Sequence, residues 1–521
     1  MKKNIFIILA ALLTLTSCTD WLLEPQPGTT GLDDFYSGAD AAIQNVTACY
    51  VPMQWEYNNT YFPEWFIGDV VSDDALKGGQ LLQDMAPVYD MENWRTDSKN
   101  VYLREYYRAQ FQGVGRCNLA LTYISEMETD TVMTQSLKDR LVGEAKFLRA
   151  YYYFRLVRVF GGVPKVDFVI DTDSKWIQPR ADAEDIYAFI LQDLEDAQKT
   201  LWKKSEYEDK DLGRATKGAA EAMLLKVNLY AKNYAAARAW GDSITGYPDR
   251  PCDYGFQSYS ENFTLAGENG VESVFEIQYV SDPTSDYGQG NGFTRGTFTT
   301  IMTRSRSSLL GGGWGFNKPT QNLYDAFEPG DLRRDTTILN PPDSKIENSA
   351  EEIHFGNRFI NRKSTLYNDD LSWYTLGHPT RSPLNNKQIR FSDVCLMYAE
   401  ACMETGDDAT AIIYLNKVRD RVSMPTYPGY TFKINGVEIT NPTLEQAIRH
   451  ERRVELAMEG HRWFDLCRWG IAKETMDAYA ATETEEAQSH MATFIKGKHE
   501  LFPIPNEEII LNPGMEQNPG Y

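Results

Sequence analysis

Between Leu137 and Val159 apolar residues return every three or four positions: Leu137, Leu141, Ala145, Leu148, Tyr152, Leu156 and Val159. That spacing is the period of an α-helix with a buried face, and a strand cannot carry it. Phe160-Gly161-Gly162-Val163-Pro164 ends the run, because glycine frees the backbone and proline bars continuation. A second stripe (Ile186, Ile190, Leu194, Ala197, Leu201) follows Asp182, which the pattern predicts as its N-cap with Asp185 three residues on. A third runs through Ala220, Met223, Leu224, Val227 and Ala231, with Lys217 and Glu221 spaced as an i,i+4 pair.

Two helix hairpins follow from the turns. Lys232-Asn233-Tyr234 leads directly into a helix over Ala235–Ile244, and Gly406-Asp407-Asp408 joins Ile389–Met403 to Ala409–Val422. Both have the look of tetratricopeptide-type pairs, scattered rather than in tandem. A last long helix opens at Thr443, where Gln446 supplies a capping box, and runs through Glu451-Arg452-Arg453-Val454-Glu455-Leu456 toward Gly460.

The connecting regions read differently. Val274–Val280 alternates as a strand does. Beyond it come glycines at 288, 290, 292, 296, 311, 312, 313 and 315, and residues 340–388 are loop-like too. Long ordered loops on a rigid scaffold are where binding residues concentrate. The predicted fold class is therefore mainly α: a scaffold of tetratricopeptide-like helix pairs plus an irregular, loop-rich ligand-binding lobe with little β.

At 521 residues the chain is long enough for more than one core. Its net charge of −22 excludes nucleic acid as a partner and disfavours an anionic lipid surface.

The N-terminus reads as an export signal. Lys2 and Lys3 precede an apolar stretch over Ile5–Leu15, too short to span a bilayer. Leu15-Thr16-Ser17-Cys18 resembles a bacterial lipobox, making Cys18 the expected site of lipidation. Residues 1–17 are then a signal peptide and 18–31 a lipidated tether reaching ~20 Å, with the outer membrane engaged through the N-terminal lipid. No later run reaches the 18 or more uncharged apolar residues of a membrane helix. Cys49, Cys117, Cys252, Cys395, Cys402 and Cys467 contain no C-x-x-C pair, which argues against zinc and redox motifs and for buried free thiols. Cys395 and Cys402 fall on one helix about 10 Å apart, too far for a disulfide.

Four segments resemble the SusD/RagB family of nutrient-binding outer-membrane lipoproteins. They are Glu144-Ala145-Lys146-Phe147-Leu148-Arg149-Ala150-Tyr151-Tyr152-Tyr153-Phe154; Gly213-Arg214-Ala215-Thr216-Lys217-Gly218; Glu451 to Leu456 followed by Glu459-Gly460-His461-Arg462-Trp463-Phe464-Asp465-Leu466; and Leu501-Phe502-Pro503-Ile504-Pro505 with the closing Asn518-Pro519-Gly520-Tyr521. The resemblance spans the mature chain. It implies an N-terminal helical region at 32–270, a binding lobe at 271–388, and a C-terminal helical region and tail at 389–521. It further implies exposure at the cell surface and a partner, a SusC-like TonB-dependent β-barrel transporter over which the lipoprotein sits as a lid. The matched acids and arginines, Glu451, Glu455, Glu459, Arg452 and Arg462, read as buried ion pairs at a helix contact. His450-Glu451 is no zincin motif, because Val454 occupies the place of the second His.

An oligosaccharide ligand presents flat C–H faces and a rim of hydroxyls. It calls for exposed aromatics beside amides and carboxylates. The candidates are Tyr287 near Gln289 and Asn291; Trp314 among Gly311–Gly315; Trp373 and Tyr374 beside Asp369 and Asp370; Asp73 and Asp74 before Lys77-Gly78-Gly79; and Trp94. The motifs of serine hydrolases, P-loop and Rossmann proteins and EF-hands are missing from the sequence, so no catalytic residue, cofactor or metal is expected. Two alternatives share the same features. A glycoside hydrolase needs two acids ~5–10 Å apart, for which Asp73/Asp74 or Asp369/Asp370 are the available pairs. A RagB-like protein would take peptides instead.

Overall fold

The structure, a computed structural model, describes residues 38–54, 63–170, 175–248, 250–281, 295–307, 310, 312–341, 358–365 and 382–521. Cys18 and the tether, Tyr287, Asn291, Asp369, Asp370, Trp373 and Tyr374 lie outside the described residues.

Helices dominate. Four of them are α1 (Ala39–Tyr50), α2 (Val101–Glu126), α3 (Gln135–Phe160) and α4 (Ala183–Thr200). The side chain of Asn100 caps α2 by accepting from Tyr102 N and Leu103 N at 3.0 and 3.2 Å. Thr134 caps α3, which ends where the sequence predicts, at Gly161 with φ +71°. Close packing explains the small residues between them: a Cβ on Gly113 of α2 would lie 2.4 Å from the Tyr152 ring of α3. Arg149 of α3 grips Asp193 of α4 with two bonds of 2.8 Å. Asp182 stands at the N-cap position of α4, but its side chain makes no capping bond.

The two hairpins are α5 (Lys217–Tyr230) with α6 (Tyr234–Thr245), and α7 (Phe391–Glu404) with α8 (Asp408–Arg421). They pack through α6 and α7, where Gly241 leaves room for the Tyr398 ring and the Tyr398 hydroxyl donates to Asp242. Glu221, spaced for a pair with Lys217, instead accepts from Ser243 Oγ of α6 at 3.1 Å, because its face is buried against that helix. Last come α9 (Leu444–Glu455), whose Thr443/Gln446 capping box is present, and α10 (Arg462–Arg468). None of the described helices is long and apolar enough to cross a membrane. Cys49, Cys117, Cys252, Cys395, Cys402 and Cys467 are free thiols.

Among the described residues the strands are short and form four antiparallel pairs. They are β1 (Ala75–Gly78) with β3 (Phe316–Pro319), β2 (Ser273–Ile277) with β6 (Asn386–Arg390), β4 (Ile338–Leu339) with β5 (Ile360–Asn361), and β7 (Phe432–Ile434) with β8 (Val437–Ile439). The strand expected at 274–280 is there as β2. Ile389, which the sequence assigns to a helix start, is still in β6; the helix begins at Phe391 once Glu272 O has accepted its backbone N–H.

The predicted buried ion pairs are present, but most of their partners come from outside the motif. Glu455 takes Arg390 and Arg333 at 2.9 and 3.1 Å, and Glu451 takes Arg333 and Arg419 at 2.5 and 2.6 Å. Arg390 also reaches Glu272 and Glu459, at 2.8 and 2.7 Å. Arg452 joins Asp393 of α7 to Asp465 of α10, each at 3.0 Å. Burial alone would raise Glu459; Arg390 and Lys363 outweigh it and hold the carboxyl at about 2. This lattice clamps α9 to the lobe.

Candidate functional site

The β1–β3 ribbon carries a platform at its end. Gly78 and Gly79 adopt φ of +74° and +87°, a region strained for any side chain. Gly79 N donates to Gly315 O at 2.8 Å, and a Cβ on Gly78 would sit 2.1 Å from that same oxygen. The chain then turns outward. Asp84 Oδ2 accepts from Gln80 N and Leu81 N at 2.6 and 3.2 Å. Lys77 Nζ, folded beneath the turn, donates to the carbonyls of Gly78, Leu81 and Asp84 at 2.7, 3.2 and 2.7 Å. Gln80 and Leu81 are left exposed on a braced loop.

Trp314 stands opposite, half-buried. Its backbone N–H donates to Ile301 O at 2.9 Å, and its ring leans on Phe298 with centroids 6.0 Å apart. Arg306 links the two sides: Nη1 donates to Trp314 O at 3.2 Å, and Nη2 to Gln80 Oε1 at 2.9 Å. Its Nε is buried with no hydrogen-bond partner. A guanidinium and an amide thus meet beside the backbone of a half-buried tryptophan. They suit stacking and hydroxyl recognition, and they include no paired nucleophile and base. Among the described residues no group of three or more His, Cys, Asp or Glu could hold a metal ion.

Asp73 and Asp74, expected at the ligand, are instead fully buried behind the platform. Asp73 pairs with Arg453 and Arg462 at 2.9 and 2.8 Å, and Asp74 with Arg453 at 2.8 Å. Burial pushes Asp73 up, but Arg453 and Arg462 prevail and hold it at about 2. Burial and the adjacent Asp73 charge leave Asp74 raised. The backbone carbonyls of both also accept from Thr320, at 2.7 and 2.9 Å, which fixes β1 against β3. These acids therefore moor the platform to α9 and α10. Trp94 is likewise a packing residue: it sits at φ +53°, 7% exposed, edge-on to Phe494 at 5.3 Å.

The segments holding Tyr287, Asn291, Trp373 and Tyr374 are not described, but their flanks are. Val280 N donates to Arg295 O at 2.9 Å, and Thr297 N to Ser382 O at 2.8 Å. The flanks of both segments therefore meet beside the short helix Thr299–Thr303, whose Ile301 carbonyl also holds Trp314. Arg306 and Gln80 escaped sequence reasoning. Nothing in Ser305-Arg306-Ser307 distinguishes it from an ordinary solvated loop.

A model described as the SusD family matches residues 379–521, and one described as "Starch-binding associating with outer membrane" matches residues 38–229. A SusD-like protein of Bacteroides ovatus is 26% identical, covering 90% of this chain and 83% of its own. The starch-binding protein SusD of Bacteroides thetaiotaomicron is 25% identical, covering 87% and 84%. A solved laminarin-binding SusD-like protein superposes with a TM-score of 0.79 at 29% identity, covering 92% of this chain and 99% of that one.

Proposed function

The chain belongs to the SusD/RagB family, and we propose that it is a lipid-anchored cell-surface protein that captures an oligosaccharide and passes it to a SusC-like TonB-dependent outer-membrane transporter. The observation that carries the ligand class is the Trp314–Arg306–Gln80 platform, an aromatic beside hydrogen-bonding groups on a braced loop. The similarity to a laminarin-binding protein supports the same class and makes β-glucans the first ligands to try. Tyr287, Asn291, Trp373 and Tyr374 complete the binding surface in this reading, because Arg295 and Ser382, which follow the segments that bear them, lie close to the helix bracing Trp314.

The function is capture, not hydrolysis. Asp73 and Asp74 are fully buried and each held by arginines, which puts that pair out of reach of a sugar. The membrane link rests on Cys18 as the acylated residue, and transporter docking rests on the family alone.

Calorimetry with laminarin, starch and other neutral glycans tests the reading. Binding of at least one glycan is expected, with affinity falling at least tenfold in Trp314→Ala. Retention of peptides and of no glycan would replace it with the peptide-uptake alternative, and sugar release on thin-layer plates would replace it with a hydrolase. In cells, Cys18→Ala is expected to leave the membrane fraction.

A further inference from the structure

Behind the platform lies a separate cavity, at the seam between α3, α5, β6 and the loop after Met458. It encloses about 90 Å³ and opens to solvent. We propose that this cavity is a recessed second subsite that takes one neutral pyranose at the end of the oligosaccharide. The proposal rests on the glycan-binding reading above and adds a place and a charge class to it.

The wall chemistry selects the ligand. Every lysine and arginine that lines the cavity already has an acid. Arg158 donates to Glu64 at 2.9 Å, Lys226 to Asp393 at 3.2 Å, Lys363 to Glu459 at 2.6 Å, and Lys387 to Glu276 at 2.5 Å. His461, which also lines it, is pushed down to about 4 by burial and by Lys226, so it is neutral at physiological pH. A charged ligand would enter without a counterion and lose its hydration uncompensated. A polyol brings no charge, and it needs donors and acceptors together.

The mouth supplies both. Asn386 and Gln388 of β6 are half-buried and joined by a bond of 2.6 Å from Gln388 Nε2 to Asn386 Oδ1. This leaves the Asn386 amide N–H groups without an intramolecular bond among the described residues. Ser364 stands on the mouth as well, also half-buried. Tyr151 and Trp65 give apolar walls, their polar atoms already bonded to Gln388 and to Thr299 Oγ1.

Position joins the two sites. Thr299 and Thr300 line the cavity, while Ile301, the next residue of the same helix, holds the Trp314 backbone at the platform. Cavity and platform are thus joined through one short helix.

The test uses the full-length protein in detergent, with saturation-transfer NMR and calorimetry against D-glucose, D-galactose, D-mannose and D-xylose and against the oligosaccharides bound by the wild type. Ser364→Trp fills the mouth, and Asn386→Ala removes an amide with little change in bulk; thermal unfolding checks that each is folded. At least one free monosaccharide is expected to bind the wild type, with binding lost in Ser364→Trp and weakened about tenfold in Asn386→Ala. Oligosaccharide affinity falls in both. Undetectable monosaccharide binding to the wild type, or equal binding in all three proteins, overturns the subsite. Oligosaccharides that bind both variants at full affinity would remove the subsite alone, whereas a wild type that retains no glycan of any length would remove the parent reading.

Discussion

The side-chain amide of Asn317 donates to Asp69 Oδ2 at 3.2 Å, yet its own Oδ1 has no partner although both residues are fully buried. The other carboxylate oxygen of Asp69 accepts from Gly460 N at 2.8 Å. Burial pushes this carboxyl up to about 7. Below the unfolded value, near 4, both states hold the proton and the full stability is present. As pH rises from there to about 7 the native state keeps a proton that the unfolded chain has lost, so stability falls, by at most ~1.4 kcal/mol per pH unit. In Asp69→Asn the new amide donates to Asn317 Oδ1, once that side chain turns over, and still accepts from Gly460. Thermal melts at pH 5 and pH 8 are expected to show a smaller pH difference in the variant, with a higher melting temperature than wild type at pH 8. A variant less stable than wild type at pH 8 would refute this account.

Arg333 holds Asp331, Glu451 and Glu455 at 2.8, 2.5 and 3.1 Å with no exposure to solvent. Replacing it with Met leaves three buried acids short of a cation, at a cost of about 3–5 kcal/mol. The same change made together with Glu451→Gln should cost less than the sum of the two. Denaturant titration of the set measures the coupling, and strict additivity would mean that the charges act independently.

Gly78→Ala tests the platform. Its Cβ would lie 2.1 Å from Gly315 O at a φ of +74°, so β1 and β3 must part. The strain is worth about 1–3 kcal/mol. Glycan affinity should fall along with stability, whereas Gly470→Ala, also at positive φ but with no atom within 4 Å of the new Cβ, should leave affinity unchanged.

Asn518 Nδ2 donates to Phe160 O and Phe502 O at 3.0 and 2.6 Å, and its Oδ1 accepts from Arg180 at 2.5 Å. In Asn518→Ala two buried carbonyls lose a donor, a loss of about 1–3 kcal/mol. Hydrogen exchange at the C-terminal end of α3 should quicken, while exchange in α8 stays as in wild type.

The scaffold was legible because its signals are local. The stripe from Leu137 to Val159, the glycine stop at 161 and the Thr443/Gln446 box each lie within a few turns of chain, and each appears where predicted. The ionic roles of Glu451 and Arg452 were legible in kind but not in partner, since Arg333 and Asp393 approach only through the tertiary fold. The site was harder to read for the same reason. Asp73 and Asp74 look like solvated loop acids until Arg453 and Arg462 arrive from about 380 residues further on. Trp94 resembles a free loop aromatic until Phe494 packs on its edge. Of the described candidates only Trp314 is half-exposed, and its neighbour Arg306 gave no sign.

The hydrogen bonds from Phe502 and Asn518 to the end of α3 set an order on biosynthesis. A bundle whose helices are encoded between residues 101 and 200 takes contacts at the end of α3 from residues beyond 500. In a chain made from its N-terminus, those contacts close last.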